Sequence, residues 1–209
     1  MTPFPTLEKE QALFRQGFYF VAGVDEAGRG AWAGPVVAAA VMLPLACPAL
    51  AVELQGVNDS KRLSPRRREA MAEVIQQVAL SVGVGVSSHT CIDRQRIVPA
   101  THRAMGRAIS ALTPHPQFLL IDALPLPEWS LPQQAFPKAD AGSLSVAAAS
   151  IMAKVTRDRL MVMLDQTFPG YLFARHKGYG TAAHRAALAA LGPCPIHRRS
   201  FAPIRQFAR

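Results

Sequence analysis

The order of predicted elements gives an α/β domain closed by a helical C-terminal cap. Strand-like apolar runs alternate with helical stretches through the first two thirds of the chain, and the longest helical stretch comes late. Half of the 209 residues are hydrophobic and they are spread along the whole chain. That excludes a disordered polypeptide and is ample for a sizeable core.

Taken in order, residues 19–24 read as a strand that runs into an acidic and glycine-rich stretch, with Asp25, Glu26, Gly28, Arg29 and Gly30. Pro35 opens a second apolar run, residues 36–43, with the character of a buried strand. Residues 44–58 read as a proline-rich loop. Ser64 before Pro65 is an N-cap followed by proline at the first helical position, which predicts a helix over 65–77. Residues 78–86 alternate apolar side chains with Ser and Gly, a strand pattern, and a helix over 97–112 stops at Thr113 and Pro114. Residues 118–121 form a short buried strand ending at Asp122, and the three prolines of 124–132 mark a loop. Two further helices are predicted over 143–168 and 181–191. The expected layout is an N-terminal extension (1–17), a catalytic core (18–168) and a basic C-terminal helical region packed on it (169–209).

Several classes are excluded. The longest apolar run, residues 36–45, is about ten residues and is broken by Pro44, against roughly 20 for a membrane span. The first eleven residues carry Glu8, Lys9 and Glu10 without an apolar stretch, so no secretory signal is expected. Cys47, Cys91 and Cys194 are too few and too scattered for a disulfide framework or a zinc set. A reduced, cytoplasmic protein is the expectation.

Net charge is +9, and it is unevenly placed. Before residue 150 there are 13 basic and 12 acidic residues; after it there are 10 basic residues against Asp158 and Asp165 alone. A basic tail on a nearly neutral body suggests a phosphate-backbone partner. Arg198 and Arg199 are candidate phosphate contacts, whose replacement flattens the salt dependence of binding if they meet phosphate and leaves it unchanged if they lie off that face.

Carboxylates are scarce, so their positions matter. Asp25 and Glu26 follow one strand and Asp122 another, and strand ends on one edge of an α/β sheet are where ligands converge. If the two strands are parallel neighbours, Asp25 and Asp122 meet across roughly 5 Å. Asp140, just before the long helix, is close enough in sequence to join them. Singly, each reads as a turn or capping residue; together they would repel unless divalent cations neutralised them. Oxygen ligands favour Mg²⁺ or Mn²⁺. Gly28, Arg29 and Gly30 allow backbone N–H groups to approach a phosphate or sugar, or else simply make a tight turn. Lys61 is a candidate phosphate contact. Arg66, Arg67 and Arg68 read as a solvated helix face, His184 as surface or structural, and 147–150 as a packing stretch.

The run from Gly23 through Asp25, Glu26, Gly28, Arg29 and Gly30 to Gly34, Pro35 and Val36 resembles the opening of bacterial ribonuclease HII. The resemblance continues through Asn58, Asp59, Ser60 and Lys61, then Asp122, Lys138 and Asp140, Ala147 to Ile151, and Lys154 to Asp158. It ends with His176, Lys177, Gly178, Tyr179 and Gly180, and with His197, Arg198 and Arg199. Departures are mild: Ala139 where Gly is common, Ala31 for a frequent Pro, and Arg96 for a usual Asn. The resemblance implies a ribonuclease-H-like mixed β-sheet flanked by helices. It implies metal-dependent cleavage of the RNA strand in RNA–DNA hybrids and 5′ of single ribonucleotides embedded in duplex DNA, leaving 3′-hydroxyl and 5′-phosphate ends. It makes Asp25, Glu26, Asp122 and Asp140 the catalytic metal ligands, with Mg²⁺ or Mn²⁺ as a two-metal site. It makes Gly28, Arg29, Gly30 and Tyr179 the readers of the ribonucleotide junction. No membrane is involved, and a monomer is expected. A non-catalytic nucleic-acid module would predict loss of a carboxylate, yet all four are present. A nuclease acting on DNA alone would need neither the glycine–arginine–glycine loop nor Tyr179.

Overall fold

The computed structural model describes residues 4–207. In chain order the elements are α1 (Glu8–Arg15), β1 (Val21–Ala27), β2 (Val36–Met42), α2 (Leu50–Glu53), α3 (Pro65–Val78), β3 (Ser81–Ser87), α4 (His89–Gln95) and α5 (Ile97–Ser110). They continue with β4 (Phe118–Asp122), β5 (Gln133–Phe136), a 3₁₀ turn at Ala139–Ala141, α6 (Leu144–Thr167), α7 (Phe173–His176), α8 (Ala182–Leu191) and α9 (Ala202–Arg205). The strands form one mixed sheet in the order β3-β2-β1-β4-β5. β2 is antiparallel to β1 and β3, while β4 is parallel to both β1 and β5.

Every residue of β2 is buried, as the unbroken apolar run requires of a strand covered on both faces. One face packs on α5 through Ala22, Val24, Ala38 and Ile121; the other packs Ala39 and Val41 on α3 and α6. Gly23 faces α6, where a Cβ would lie 2.2 Å from the Ser145 carbonyl carbon, so glycine lets the helix seat directly on β1. The expected caps are present: Ser64, Ser143 and Thr181 each accept a backbone N–H from the first turn of their helix.

Several elements depart from expectation, among them the unpredicted helices α4, α7 and α9. β1 runs on to Ala27, so Asp25 and Glu26 lie within the strand rather than after it. β5, with its mixed Gln133–Phe136 sequence, lacks the apolar run of a central strand because it is a sheet edge. The 44–58 stretch contains the short helix α2. Residues 4–17 also do more than precede the core. Buried Glu10 of α1 accepts the Ser143 and Ser145 hydroxyls and the Ser145 N–H at the start of α6. Among the described residues no helix is long and apolar enough to cross a membrane.

Candidate active site

Register brings the carboxylates together. β1 and β4 are parallel with Val24 opposite Ile121, so Asp25 and Asp122 occupy neighbouring places at the same sheet edge. The chain then turns back through left-handed Ala123 and Lys138. The Ala139 N–H donates to Asp122 Oδ1 at 2.8 Å, pinning the 3₁₀ turn that carries Asp140 against the end of β4. Ala139 is buried and needs no left-handed backbone, so alanine is accommodated there.

The electrostatics are those of crowded acids. Burial holds the Asp25 carboxyl well above its ordinary range, and the charges of Glu26 and Asp122 add to it. Glu26 is raised by burial against the opposing effect of Arg29, whose Nη1 lies 3.1 Å from Glu26 Oε1. Asp140 is raised by burial, then by Asp59 and Asp122. Burial depresses Lys61, but Asp140, Asp59, Asp25 and Asp122 outweigh it and the ammonium is raised. Lys61 lines two adjoining hollows. One, of about 350 Å³, contains Asp122 and Asp140; the other, of about 230 Å³, contains Asp25, Glu26, Arg29, Gly30 and Tyr179. Glu26 Oε2 is buried with no hydrogen-bond partner. Ser150, expected only to pack, lines the same hollow as Asp25 and faces the Ser60 hydroxyl at 2.9 Å.

The loop after β1 is held from behind by two arginines, and here the sequence-based expectation fails. Arg198 is fully buried and is not available to phosphate. It donates to Gly34 O (3.0 Å), Arg29 O (2.8 Å), Gly28 O (2.7 Å) and Pro35 O (3.1 Å). Arg157, equally buried, donates to Pro35 O, Ala33 O and Lys177 O, tying the 28–35 loop to the 176–181 loop. Burial and then the charge of Arg157 push Arg198 down to about 9, still cationic at neutral pH. Gly28 has φ +93 and a Cβ there would strike the Arg157 side chain, so the fold itself demands glycine. Gly30 is different: a Cβ would meet nothing within 4 Å. Its open side faces the hollow.

Tyr179 closes that hollow, with Arg157 at 5.2 Å and Lys154 at 5.6 Å from its ring. Beneath it lies a buried histidine cluster. His184 Nδ1 meets Tyr179 O at 3.0 Å and His184 Nε2 meets His197 Nε2 at 3.0 Å, while His197 Nδ1 accepts the Cys194 N–H at 2.9 Å. These partners assign one consistent set of neutral tautomers: His184 donates from Nδ1, and His197 donates from Nε2 to His184. Burial lowers both histidines to about 4. His184 is thus structural but not on the surface. In the arginine run, Arg66 and Arg67 are exposed as expected, but Arg68 is buried on Ser60 O, Leu63 O and Asp158.

Sequence reasoning missed the two arginines, since a basic residue in a basic tail gives no sign of being turned inward. The adjacent His197 and the crowd of glycines in the facing loops were the available signal.

The ribonuclease HII family model matches residues 22–204. Ribonuclease HII of Geobacter metallireducens is 55% identical over 197 residues, covering 94% of this chain and 90% of the relative. That of Chloroflexus aurantiacus is 55% identical over 200 residues, covering 96% and 94%. Among solved structures, ribonuclease H2 from Pyrococcus horikoshii has a TM-score of 0.73 at 28% identity, covering 90% of this chain and 96% of that one. The chain belongs to the ribonuclease HII family, and it is a nuclease of the ribonuclease H class.

Proposed function

We propose that the chain is an endoribonuclease that cuts the RNA strand of RNA–DNA hybrids and incises 5′ of single ribonucleotides in duplex DNA. The observation that carries this reading is the meeting, around Lys61, of four carboxylates with the Gly28–Arg29–Gly30 loop and Tyr179. A hydrolytic centre and a sugar-reading surface then share one edge.

The donor set fits divalent cations. It is all oxygen, Asp25, Glu26 and Asp140 are raised by burial and by neighbouring acids, and Glu26 Oε2 is an unpaired buried acceptor. Among the described residues no three His, Cys, Asp or Glu side chains are placed to hold a metal ion by themselves. Mg²⁺ or Mn²⁺ would take one or two of the carboxylates and leave the remaining positions to water and substrate phosphate. When bound, such ions generate a nucleophile from water and stabilise the leaving 3′-oxygen.

The chain's own residues do the rest. Asp25, Glu26, Asp122 and Asp140 supply ligand oxygens, and Lys61 meets the phosphate. The carbonyls of Gly28 and Arg29 are bound inward by Arg198, leaving the outer face of the loop to the substrate. Gly30, which packing does not require, lets the backbone come close to a 2′-hydroxyl. Tyr179 packs on the neighbouring deoxyribose. The protein would work on ribonucleotide-containing duplexes in the cytoplasm as a monomer.

The test is gel analysis of a DNA duplex holding one ribonucleotide, with and without Mg²⁺. A single cut on the 5′ side, present only with metal, is expected. Cutting of an all-DNA duplex at the same rate would overturn the reading.

A further inference from the structure

A hollow of about 470 Å³ opens at the C-terminal end of β3, between α4 and α5. Its walls include Ser87, Arg94, Gln95, Arg103 and Arg107, and no carboxylate lines it. β1 and β3 are both antiparallel to β2, so their C-terminal ends share the edge that carries Asp25 and Glu26. Ala27, Val37 and Val86 stand in one register row, so the hollow begins just beyond Glu26 and two strand spacings away, about 10 Å.

The last turns of α4 and α5 favour the cations Arg94 and Arg107, but among the described residues no acid balances the group. Arg103 and Arg107 are one turn apart on α5, where like charges repel, and Arg94 approaches from α4. Arg107 donates to Val86 O, but Arg94 and Arg103 form no ion pair among the described residues. The acid nearest in sequence, Asp93, is taken up by the Arg199 and Ser200 N–H groups and the Ser200 hydroxyl. Ser87 is 1% exposed and its Oγ has no hydrogen-bond partner. A buried hydroxyl without a partner is costly. One anionic oxygen group would accept from it and pair with the arginines, which stand exposed on the rim and are solvated when nothing is bound.

We propose that this hollow docks a backbone phosphate of the bound duplex. It lies about 10 Å from the carboxylates, within a few nucleotides of them on a bound duplex. This rests on the reading of the chain as a nuclease of ribonucleotide-containing duplexes. It places a phosphate contact on α4 and α5 in addition to the exposed C-terminal cations, Arg198 being buried.

The experiment measures duplex affinity against salt for the full chain on all-DNA duplex, and cleavage at saturating ribonucleotide-containing duplex. Arg94→Gln and Arg103→Gln should each reduce the slope of log K on log salt by about 0.9, and the pair should weaken binding on the order of tenfold at about 0.1 M salt. Cleavage at saturation and the melting temperature should stay at wild-type values. Arg15→Gln, an exposed change on the helix entering β1 from the opposite edge, should leave binding unaltered. An unchanged slope in the paired variant overturns the proposal. So does an equal loss in Arg15→Gln, which would show bulk charge alone, or a loss of saturated cleavage with affinity intact. A wild type that binds duplex but never cuts would instead overturn the ribonuclease reading, with the slopes still testing the hollow.

Discussion

Two sets of buried charge adjoin each other and are treated in opposite ways. Arg157 and Arg198 are fully buried, yet every nitrogen of both guanidinium groups donates to a backbone carbonyl. Asp25, Glu26 and Asp140 are buried or nearly so, repel one another, and leave Glu26 Oε2 without a partner. A buried cation whose every nitrogen meets a carbonyl is part of the scaffold; an unsatisfied carboxylate oxygen facing a hollow, as Glu26 Oε2 does, is open to whatever binds there. The contrast separates structure from chemistry more sharply than sequence position does, since both arginines and all four acids lie in family motifs.

The largest effect should come from the unsatisfied set. Asp25→Asn or Asp122→Asn is expected to lower Mg²⁺-dependent cleavage by about 10³-fold or more. The same change removes repulsion, so melting without metal should stay equal or rise; near wild-type cleavage in either variant would break the comparison. Next, Tyr179→Ala should cut cleavage at a single embedded ribonucleotide by roughly 10²-fold while affinity for all-DNA duplex changes far less. Equal proportional losses in rate and affinity would make Tyr179 a generic duplex contact.

The satisfied set should answer in stability. Arg198→Gln strands several buried carbonyls, and about 3 kcal/mol of destabilisation is expected, a melting shift of roughly 5–10 °C. A changed salt slope with unchanged melting would instead put Arg198 on the nucleic-acid face. The smallest effect is in pH. His184 and His197 are lowered to about 4, below the ordinary value of 6.5, so the unfolded chain binds more protons between those limits. Their contribution is whole above about pH 6.5 and is lost as pH falls toward 4, with about two protons taken up on unfolding near pH 5. His197→Asn should flatten that dependence, as followed by melting temperature from pH 7 to 4.5.

Most of the architecture was legible because it is locally encoded. Ser64 with Pro65, Ser143 and Thr181 announce helix starts by hydrogen-bonding their own first turns, and the apolar run of β2 can only be a covered strand. The edge strand β5 was not legible, because a half-exposed edge needs no apolar pattern. The four carboxylates stood out by scarcity and placement, and the parallel pairing of β1 with β4 brings Asp25 beside Asp122 as the strand ends implied.

By itself, then, the sequence determined the α/β order, the helix caps and which acids compete for one place. Those depend on residue type and short spacing. Only the tertiary structure decided which cations are scaffold and which are free. Arg198 and Arg199 are neighbours in the chain, yet one is buried on four carbonyls and the other is exposed. Meanwhile Arg94 and Arg103, nine positions apart, face one hollow. Charge is written in the sequence residue by residue, but its solvation is set by whatever distant backbone folds against it.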